Sequence, residues 1–406
     1  MDEYIVLVFT SLYVMQNANK RSILLLLFVA CSLVILNIAI GGHNLTIVGE
    51  DNNPLEPIDN VSSFNIGPGQ RYVALLNATQ PSGSYWLEAS VAERDIPNLV
   101  GRAIIQYDTE EAVLPTEEPY HPPWNNGVLC PLCDLTPNPE DFPEYVGLTT
   151  PESEIMRYTL VVSQVHDIGE DGKQTGLGWG VNNVSFTFTT PEPLIGMAVR
   201  AAKENGWPTK IPGTIDLPQD PPPSWNYTVS VGSSSVPNAG AVGVSVIRAN
   251  KGQVIDIVLQ NSNQPSDTHQ WHMHGHSFWV IGQGEGVFNS EVDVPKFNLK
   301  NPGLRDTVTN WPNGWTAIRV TMNNPGVWFF HCHILPHLQM GMAVGLVVQA
   351  DQIADFPDES ASVQYCTASD SLDMVSAGSS LKASAPLLFS VSAAMAVLAM
   401  VCSCIF

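Results

Sequence analysis

Basic side chains are scarce in this sequence, which has 17 Lys and Arg against 39 Asp and Glu among 406 residues and a net charge of −22. Nucleic-acid binding needs Lys and Arg to neutralise phosphates, so this balance excludes a nucleic-acid partner. The acidity favours an explanation by solubility over the alternative, a weak attraction for cationic substrates.

Charged residues of both signs make up only 14% of the chain, whereas 44% is hydrophobic and Gly and Pro occur 31 times each. This composition is typical of a turn-rich globular protein with more β-strand than helix. Short runs of alternating polarity, such as 70–76, 83–89 and 253–259, are separated by Gly, Pro and Asn turns. They predict an all-β fold of β-sandwich type, and the length allows two or three domains.

Cysteine is also sparse, with seven in the chain. Cys130 and Cys133 form a lone Cys-x-x-Cys motif, which without a second pair is a weak zinc signal and more typical of a disulfide or two thiols. Cys366 has no obvious partner, and three others lie in apolar segments near the ends. Only Cys332 stands among histidines, which makes it the cysteine of chemical interest.

Seven of the ten histidines fall in two short segments, 269–276 and 327–342. Successive side chains of a strand point to opposite faces, so residues an even number apart share a face. One side collects His269 and Cys332, together with His337 and Met342 of the loop that follows the strand, and the other collects His272, His274, His331 and His333. This division predicts a strand that separates two metal sites.

The second histidine segment follows an alternating run, 317–322, and an Asn-Asn-Pro-Gly turn at 323–326. Two alternating runs joined by such a turn predict a β-hairpin. On this interpretation the strand that carries Cys332 pairs with the strand just before it.

The face that carries Cys332 and Met342, called the sulfur face, has a spacing that is specific for one kind of metal site. Cys332, His337 and Met342 follow one another with four residues between each, and offer a thiolate, an imidazole and a thioether. With His269 as a second imidazole, this is the donor set that holds blue copper. Zinc is the alternative because it also binds Cys and His, but a single thiolate followed by a methionine favours copper. Met340 is interpreted as core packing.

The two motifs together resemble a known family. His-x-x-His-x-His-Gly-His at 269–276 and His-Cys-His-x-x-x-His-x-x-x-x-Met at 331–342 are similar to the last two copper motifs of multicopper oxidases, the laccase and ascorbate oxidase family. Arg-Asp-Thr-Val at 305–308, Pro-Asn-Gly-Trp at 312–315 and Asn-Pro-Gly-Val-Trp-Phe-Phe at 324–330 support the resemblance. It implies cupredoxin-like Greek-key β-sandwich domains, one complete and copper-bearing and one partial and copper-free.

The resemblance also implies roles for individual residues. By position it assigns a type 1 copper to His269, Cys332, His337 and Met342, a type 2 copper to His272, and a type 3 pair to His274, His331 and His333. His276 is then a supporting residue and not a ligand. A small reducing substrate (a phenol, ascorbate or a metal ion) would give single electrons to the type 1 copper. They would pass through Cys332 to His331 and His333, the predicted catalytic residues, and reduce O2 to water.

Half of the cluster that the resemblance implies is missing from this sequence. The family's copper cluster takes eight histidines, and the two motifs supply four. His43, His121 and His166 are isolated and do not form the other two motifs. Two hypotheses stay open. The chain is an incomplete copy of an oxidase, or it is a copper-binding, electron-transfer module that does not reduce O2.

The domain organisation follows from these motifs and from composition. The predicted divisions are an apolar signal or anchor segment (1–36), a partial copper-free cupredoxin-like domain (37–112), a Pro- and acid-rich connector (113–150), a copper-binding cupredoxin domain (151–350) and a C-terminal tail with an apolar anchor signal (351–406). The partial second domain and the absent histidine motifs are the reasons for predicting a truncated or misassembled sequence.

Both ends of the chain are apolar and predict membrane association. Lys20 and Arg21 precede a Leu-rich run that favours an export signal or signal-anchor over a buried segment. Small residues at 376–380 precede an uncharged apolar stretch, 385–406, which is typical of a glycolipid-anchor signal; the alternative is a retained transmembrane helix. Either end would place the protein at an outer membrane face.

Glycosylation signals agree with export. Five N-x-S/T sequons occur, at Asn44, Asn60, Asn77, Asn183 and Asn226. The predicted location is therefore extracellular or at the cell surface. The substrate stays undetermined, because Glu285 and Glu291 follow the first histidine motif but such carboxylates are usually solvated.

Overall fold

The computed structural model describes residues 12–13, 16–17, 20–28 and 34–353, with gaps at 52, 78, 93–99, 108–113, 120, 122–135, 169–173, 188–192, 224, 226–239 and 262–267. Strands dominate these residues, which confirms the all-β prediction. None of the helices in the described ranges is both long and apolar enough to cross a membrane. The predictions for Cys130, Cys133, Cys366 and the C-terminal anchor lie outside the described residues.

Ten strands occur among the described residues of the first unit, which spans residues 12–107. They are β1 (Leu12–Tyr13), β2 (Gln16–Asn17), β3 (Lys20–Phe28), β4 (Leu36–Ile40), β5 (Leu45–Glu50), β6 (Asn53–Val61), β7 (Ser63–Ile66), β8 (Arg71–Asn77), β9 (Gly83–Val91) and β10 (Val100–Tyr107). One sheet has the order β1-β3-β8-β5-β6, with β2 paired to β3, and the other has the order β10-β9-β4-β7.

Alternating polarity explains how these two sheets meet. Along β8 the side chains of Tyr72, Ala74 and Leu76 are buried, and the residues between them are partly exposed. The buried face joins one apolar cluster with residues of the opposite sheet, such as Ile38 and Phe64. Strand β3 pairs with β8 over seven positions, so part of the segment predicted as an export signal lies in this sheet. The export signal stays a prediction.

The second unit spans residues 136–353, and the part of it that the structure describes contains thirteen strands. They are β11 (Met156–Ile168), β12 (Gln174–Val181), β13 (Val184–Phe186), β14 (Thr214–Asp216), β15 (Ala241–Ala249), β16 (Val254–Asn261), β17 (His269–Met273), β18 (Phe278–Glu285), β19 (Gly303–Arg305), β20 (Thr307–Asn310), β21 (Gly314–Thr321), β22 (Gly326–Cys332) and β23 (Ala343–Val348). Their order is β19-β18-β21-β16-β11-β12-β13-β15-β23-β22-β17-β20, with β14 beside β15.

Four short helices join these strands outside the gaps given above. They are α1 (Tyr145–Thr149), α2 (Leu194–Asn205), α3 (Ser290–Asp293) and α4 (Leu335–Gln339), and single 3-10 turns cover Pro139–Asp141, Glu152–Glu154, Val294–Lys296 and Ala350–Gln352. The main core lies between the layers of the long sheet and contains Trp271, Phe278 and Phe330. Cys332 and Met342 belong to the same core, so the sulfur-bearing side chains are fixed by packing.

The hairpin predicted around Asn323–Gly326 is wrong. Strand β21 pairs with β16 and β18, whereas β22 pairs with β17 and β23. The turn therefore carries the chain from one part of the sheet to another. Both edges of β21 are already hydrogen-bonded, so β22 has no edge of its predecessor to join.

Candidate metal centre

Pairing between β17 and β22 aligns the two histidine segments. Trp271 lies opposite Cys332, and His272 lies opposite His331. Since neighbouring side chains alternate between faces, this register separates the sulfur face from the face with most of the histidines. The two groups of candidate ligands therefore lie on opposite sides of the same pair of strands.

The first group, called the thiol site, comprises His269, Cys332 and His337, with Met342 beside it in sequence. The Nδ1 atoms of His269 and His337 are 3.2 Å apart, and Cys332 Sγ is 3.8 Å from His337 Nδ1. The ligand atoms of these three side chains all lie within 4.8 Å of one another. The backbone N–H of Cys332 donates to the carbonyl of Met342 at 3.1 Å, which fixes Met342 next to the thiol-bearing residue.

A tryptophan packs against the thiol site. The ring of Trp179 lies 4.8 Å from that of His269 and 4.7 Å from that of His337, measured between centroids. Its backbone N–H donates to Met340 at 2.6 Å. Gly341 has a φ of 109°, and a Cβ there would lie 2.2 Å from the hydroxyl of Ser185. Close packing on β12 and β13 thus shapes the loop between His337 and Met342.

Burial keeps one imidazole of the thiol site, that of His269, neutral. The side chain of His269 is fully buried, and burial followed by repulsion from His337 holds its pKa well below the ordinary value. The ring is therefore uncharged at neutral pH and offers a lone pair. A thiol with two imidazoles, and a methionine whose backbone is hydrogen-bonded to that of Cys332, is the donor set that suits copper. These residues fit that metal, and Zn2+ is the alternative.

The second group, called the histidine cluster, comprises His272, His274, His331 and His333. The ring centroids of neighbouring members lie 4.9 to 5.8 Å apart. The Nε2 atoms of His274 and His331 are 3.1 Å apart. Four imidazoles at this spacing, with few acidic side chains among them, are suited to share metal ions.

Three rings of the histidine cluster are also uncharged at neutral pH. Burial, followed by repulsion from other cluster rings, lowers the pKa of His274 to about 4 and that of His333 to about 4. Burial holds the pKa of His331 well below its ordinary value. These three rings therefore carry no proton in excess at neutral pH and do not have to release one when a metal binds.

Hydrogen bonds orient two rings of the cluster. Nδ1 of His331 lies 2.9 Å from the carbonyl of Cys332, and Nδ1 of His272 lies 3.0 Å from the carbonyl of Asp306. A carbonyl only accepts, so both Nδ1 atoms carry the hydrogen. The lone pair is then on Nε2, which is the arrangement that second-shell partners give to metal-binding histidines.

The remaining sequence-predicted residue of this region, His276, lies just beyond the end of β17. It is buried, its Nδ1 is 3.3 Å from the carbonyl of His274, and its ring meets Trp328 edge-on. A cleft of about 420 Å³ opens beside the cluster. It is lined by Glu144, His272, Met273, His274, Gly275, His276, Ser277, Asp306 and Asn323. Small polar molecules therefore have space next to the imidazoles.

A turn of the first unit also reaches the histidine cluster. Gly69 has a φ of +81°, and a Cβ there would lie 2.5 Å from Cδ2 of His333. The neighbouring Gly67 approaches the side chain of Gln270 equally closely. The backbone of this turn thus packs directly on the cluster, because glycine presents no side chain.

Replacing Gly69 by Ala should displace His333 and weaken copper binding by the cluster, on the order of tenfold, as disturbed support of a ligand does. Copper titration of the purified chain measures this. Gly252→Ala is the matched control: it has a φ of +82° and no atom within 4 Å of an added Cβ, so it carries the backbone strain without the clash. Equal losses of affinity in the two variants would contradict the role of the contact.

Sequence analysis missed several residues that shape these sites. Trp179 has no metal-binding atom. In the sequence, Asp306 was recognised only as part of the supporting Arg-Asp-Thr-Val motif. Arg71 and Asp51, which contact Asp306 from the first unit, lie far away in sequence. A carboxylate next to a histidine-rich strand was the one available signal.

Comparisons with known proteins agree with these features. The multicopper oxidase family is matched by two models, one over residues 8–110 and one over residues 211–352. L-ascorbate oxidase of Cucumis sativus is 33% identical over 349 residues, which are 82% of this chain and 54% of that protein. Laccase-12 of Arabidopsis thaliana is 30% identical over 325 residues, which are 76% of this chain and 55% of that protein. The chain thus spans about half the length of these relatives.

Solved structures show the same fold. A laccase from Botrytis aclada has a TM-score of 0.59 and 21% identity, and the match covers 86% of this chain and 56% of that one. Fet3p, described as a multicopper oxidase that functions in iron import, has a TM-score of 0.60 and 20% identity over 86% of this chain and 60% of its own. The prediction of cupredoxin-like β-sandwiches is confirmed. From the family matches together with this fold, we conclude that the chain belongs to the multicopper oxidase family.

Proposed function

We propose that this chain is a copper-binding oxidoreductase that takes single electrons from a small reducing substrate at the thiol site. His269, Cys332, His337 and Met342 would hold the copper there. The observation that carries the proposal is the convergence of two imidazole Nδ1 atoms and one thiol within 4.8 Å in a buried setting. Ascorbate and phenols are the proposed substrate class, because the relatives include enzymes named ascorbate oxidase and laccase.

The residues of the thiol site have separate tasks. Copper, when bound, supplies one-electron redox chemistry. Burial of His269 and Cys332 excludes water from the donor atoms, and packing in the core keeps the donor set from rearranging. Leu335 on α4 is 40% exposed and lies two residues before His337, so an apolar surface is available to a substrate near one ligand.

The histidine cluster would hold further copper as the second part of the proposal. His331 and His333 are the covalent neighbours of Cys332, so a short peptide path joins the thiol to two rings of the cluster. The rings of His272, His274, His331 and His333 contact one another, with centroids of neighbouring rings 4.9 to 5.8 Å apart. Reduction of O2 at this cluster is the family-derived proposal for the whole protein.

A second candidate function is electron transfer without O2 reduction. The two motifs supply four histidines, whereas the family resemblance implies eight. His43 lies next to the carbonyl of Gly41, and His121 lies 2.8 Å from the carboxylate of Glu88, so both contact residues of the first unit. In this case the chain would accept and release electrons at the thiol site alone.

The experiment is reduction of the copper-loaded chain by ascorbate or a phenol, with absorption and O2 concentration recorded together. Bleaching of a blue thiolate-to-copper absorption is expected on reduction. Return of the colour with uptake of O2 supports the oxidase, and bleaching without O2 uptake supports the electron-transfer module. A chain that binds copper without any such absorption would contradict both.

Export to the outside of the cell is a further part of the proposal. Asn44, Asn60 and Asn77 are exposed sequon asparagines on the first unit, and Asn183 is partly buried at a turn of the second. Surface sequons are the accessible ones for glycosylation. Treatment of the secreted chain with an endoglycosidase should increase its gel mobility; no change in mobility would argue against glycosylation.

A further inference from the structure

Two consecutive residues of the second unit form hydrogen bonds with Nδ1 of His272, a member of the histidine cluster. Its Nδ1 lies 3.0 Å from the carbonyl of Asp306 and 2.9 Å from the hydroxyl of Thr307. That hydroxyl donates to the carboxylate of Asp306 at 2.8 Å, so it presents lone pairs to the ring. The position of the Asp306–Thr307 backbone therefore decides which nitrogen of His272 keeps its lone pair for a metal.

The first unit holds this backbone through Asp51, a fully buried carboxylate just after β5. Asp51 Oδ2 accepts from the backbone N–H of Thr307 at 3.1 Å and of Asp306 at 3.4 Å. Its Oδ1 accepts from the backbone N–H of Arg71 at 2.9 Å. One buried side chain thus joins the start of β8 to the segment that supports His272.

The side chain of Arg71 binds the same segment through Asp306. Its two terminal nitrogens donate to the two carboxylate oxygens of Asp306, each at 2.6 Å. One of them also donates to the carbonyl of Gly69 at 3.1 Å. A two-pronged pair between a guanidinium and a carboxylate fixes orientation as well as distance. Burial alone would raise the pKa of Asp306, but Arg71 and then His272 outweigh it and hold that pKa well below its ordinary value.

We propose that Asp51 and Arg71 are positioning residues that reach across from the first unit and fix the Asp306–Thr307 backbone so that His272 presents Nε2 to a metal. This rests on the proposed function of the histidine cluster. Neither residue touches the imidazole of His272. The first unit, which has no copper motif, thereby sets the ligand geometry of the second.

An adjacent contact between the units provides a matched control. Tyr72 follows Arg71 on β8 but points to the other face, and its hydroxyl accepts from Arg305 at 2.9 Å. Arg305 in turn pairs with Glu50 at 3.1 Å. Tyr72→Phe therefore removes one hydrogen bond from the same interface without touching the carboxylate of Asp306.

The first measurement uses the copper-free chain. The 15N shifts of the His272 ring should show a hydrogen on Nδ1 and a lone pair on Nε2. In Arg71→Gln the spectrum should show both tautomers of the His272 ring, one with the hydrogen on Nδ1 and one with it on Nε2. Arg71→Lys keeps the positive charge but not the paired donors of the guanidinium, so its fraction of the second tautomer should be smaller than in Arg71→Gln. Asp51→Asn tests the backbone anchor in the same way. Tyr72→Phe should give the spectrum of the unchanged chain.

The second measurement is copper binding. Arg71→Gln should lower the affinity of the histidine cluster about tenfold to a hundredfold and leave the blue absorption of the thiol site unchanged. If Arg71→Gln does not fold, Arg71→Lys gives the same comparison at smaller amplitude. An unaltered His272 ring and affinity, or an equal loss in Tyr72→Phe, overturns the proposal. If the unchanged chain binds no copper, the proposed function fails, while the ring measurement still judges the positioning role.

Discussion

Cys332→Ser is expected to abolish the blue absorption of the copper-loaded chain and to remove about one copper ion from each molecule. A serine hydroxyl does not ionise at neutral pH and is a harder donor, so the thiol site loses its thiolate ligand. Ser is close in size to Cys, and position 332 is fully buried in the main core, so the fold should be kept. Copper bound by the histidine cluster should remain.

Absorption, copper content and electron paramagnetic resonance of the same sample test this prediction. Met340→Leu is the matched control, because Met340 is a sulfur residue of the same loop that packs on the core beside Cys332. It should keep both colour and copper. A Cys332→Ser chain that stays blue, or a Met340→Leu chain that loses its colour, would disprove the ligand assignment at the thiol site.

The sequence was sufficient to sort the candidate ligands onto two faces because strand alternation is a local property. His269 and Cys332 lie on one side of the β17–β22 pair, and His272 and His331 lie on the other. The all-β fold was predictable for the same reason, since alternating runs such as 70–76 carry their own periodicity.

Which strands pair was not predictable from local signals. The turn at 323–326 has the residues of a hairpin, but pairing is decided by competition for strand edges, and β16 and β18 occupy both edges of β21. Trp179 likewise gave no signal, because a tryptophan in an apolar strand is usually a core residue. Its contact with both imidazoles depends on how β12 packs against the loop after Cys332.

The contacts between the two units were beyond sequence reasoning for a further reason. Arg71 lies 235 residues before Asp306, and Asp51 lies 255 residues before it. Neither belongs to a histidine motif. Charged residues are usually solvated, so only the fold shows that these two contact Asp306.

Acidification should destabilise the copper-free chain at pH values above those at which ordinary carboxylates are protonated. The pKa values of His274 and His333 are about 4 in the folded protein, against 6.5 for an unperturbed histidine. The unfolded chain therefore binds more protons than the folded one between these values. The stability contributed by these rings is complete above pH 6.5 and is lost as the pH falls from 6.5 towards 4, by up to about 3 kcal/mol for each ring.

Other groups change the steepness with which the free energy of unfolding falls on acidification, but not the direction of the change. The pKa values of His269 and His331 are also lowered, chiefly by burial, so these rings act in the same direction. Burial raises the pKa of Asp51, which titrates the opposite way. Asp306, whose pKa Arg71 holds low, loses its contribution only below pH 4. The histidines outnumber the opposing carboxylate, so the free energy of unfolding should fall across this window.

Urea unfolding of the copper-free chain at pH 7, 5.5 and 4.5 measures the slope, and a double variant His274→Gln, His333→Gln isolates the two rings. The double variant should lose less stability on acidification than the unchanged chain. Copper should have a similar effect, because a metal-bound imidazole cannot take up a proton until the metal leaves. Equal free energies of unfolding at pH 7 and pH 4.5 in the copper-free chain would show that the cluster rings are already hydrated in the folded protein. The interpretation that the cluster imidazoles are neutral and buried, on which the proposed metal binding depends, would then be wrong.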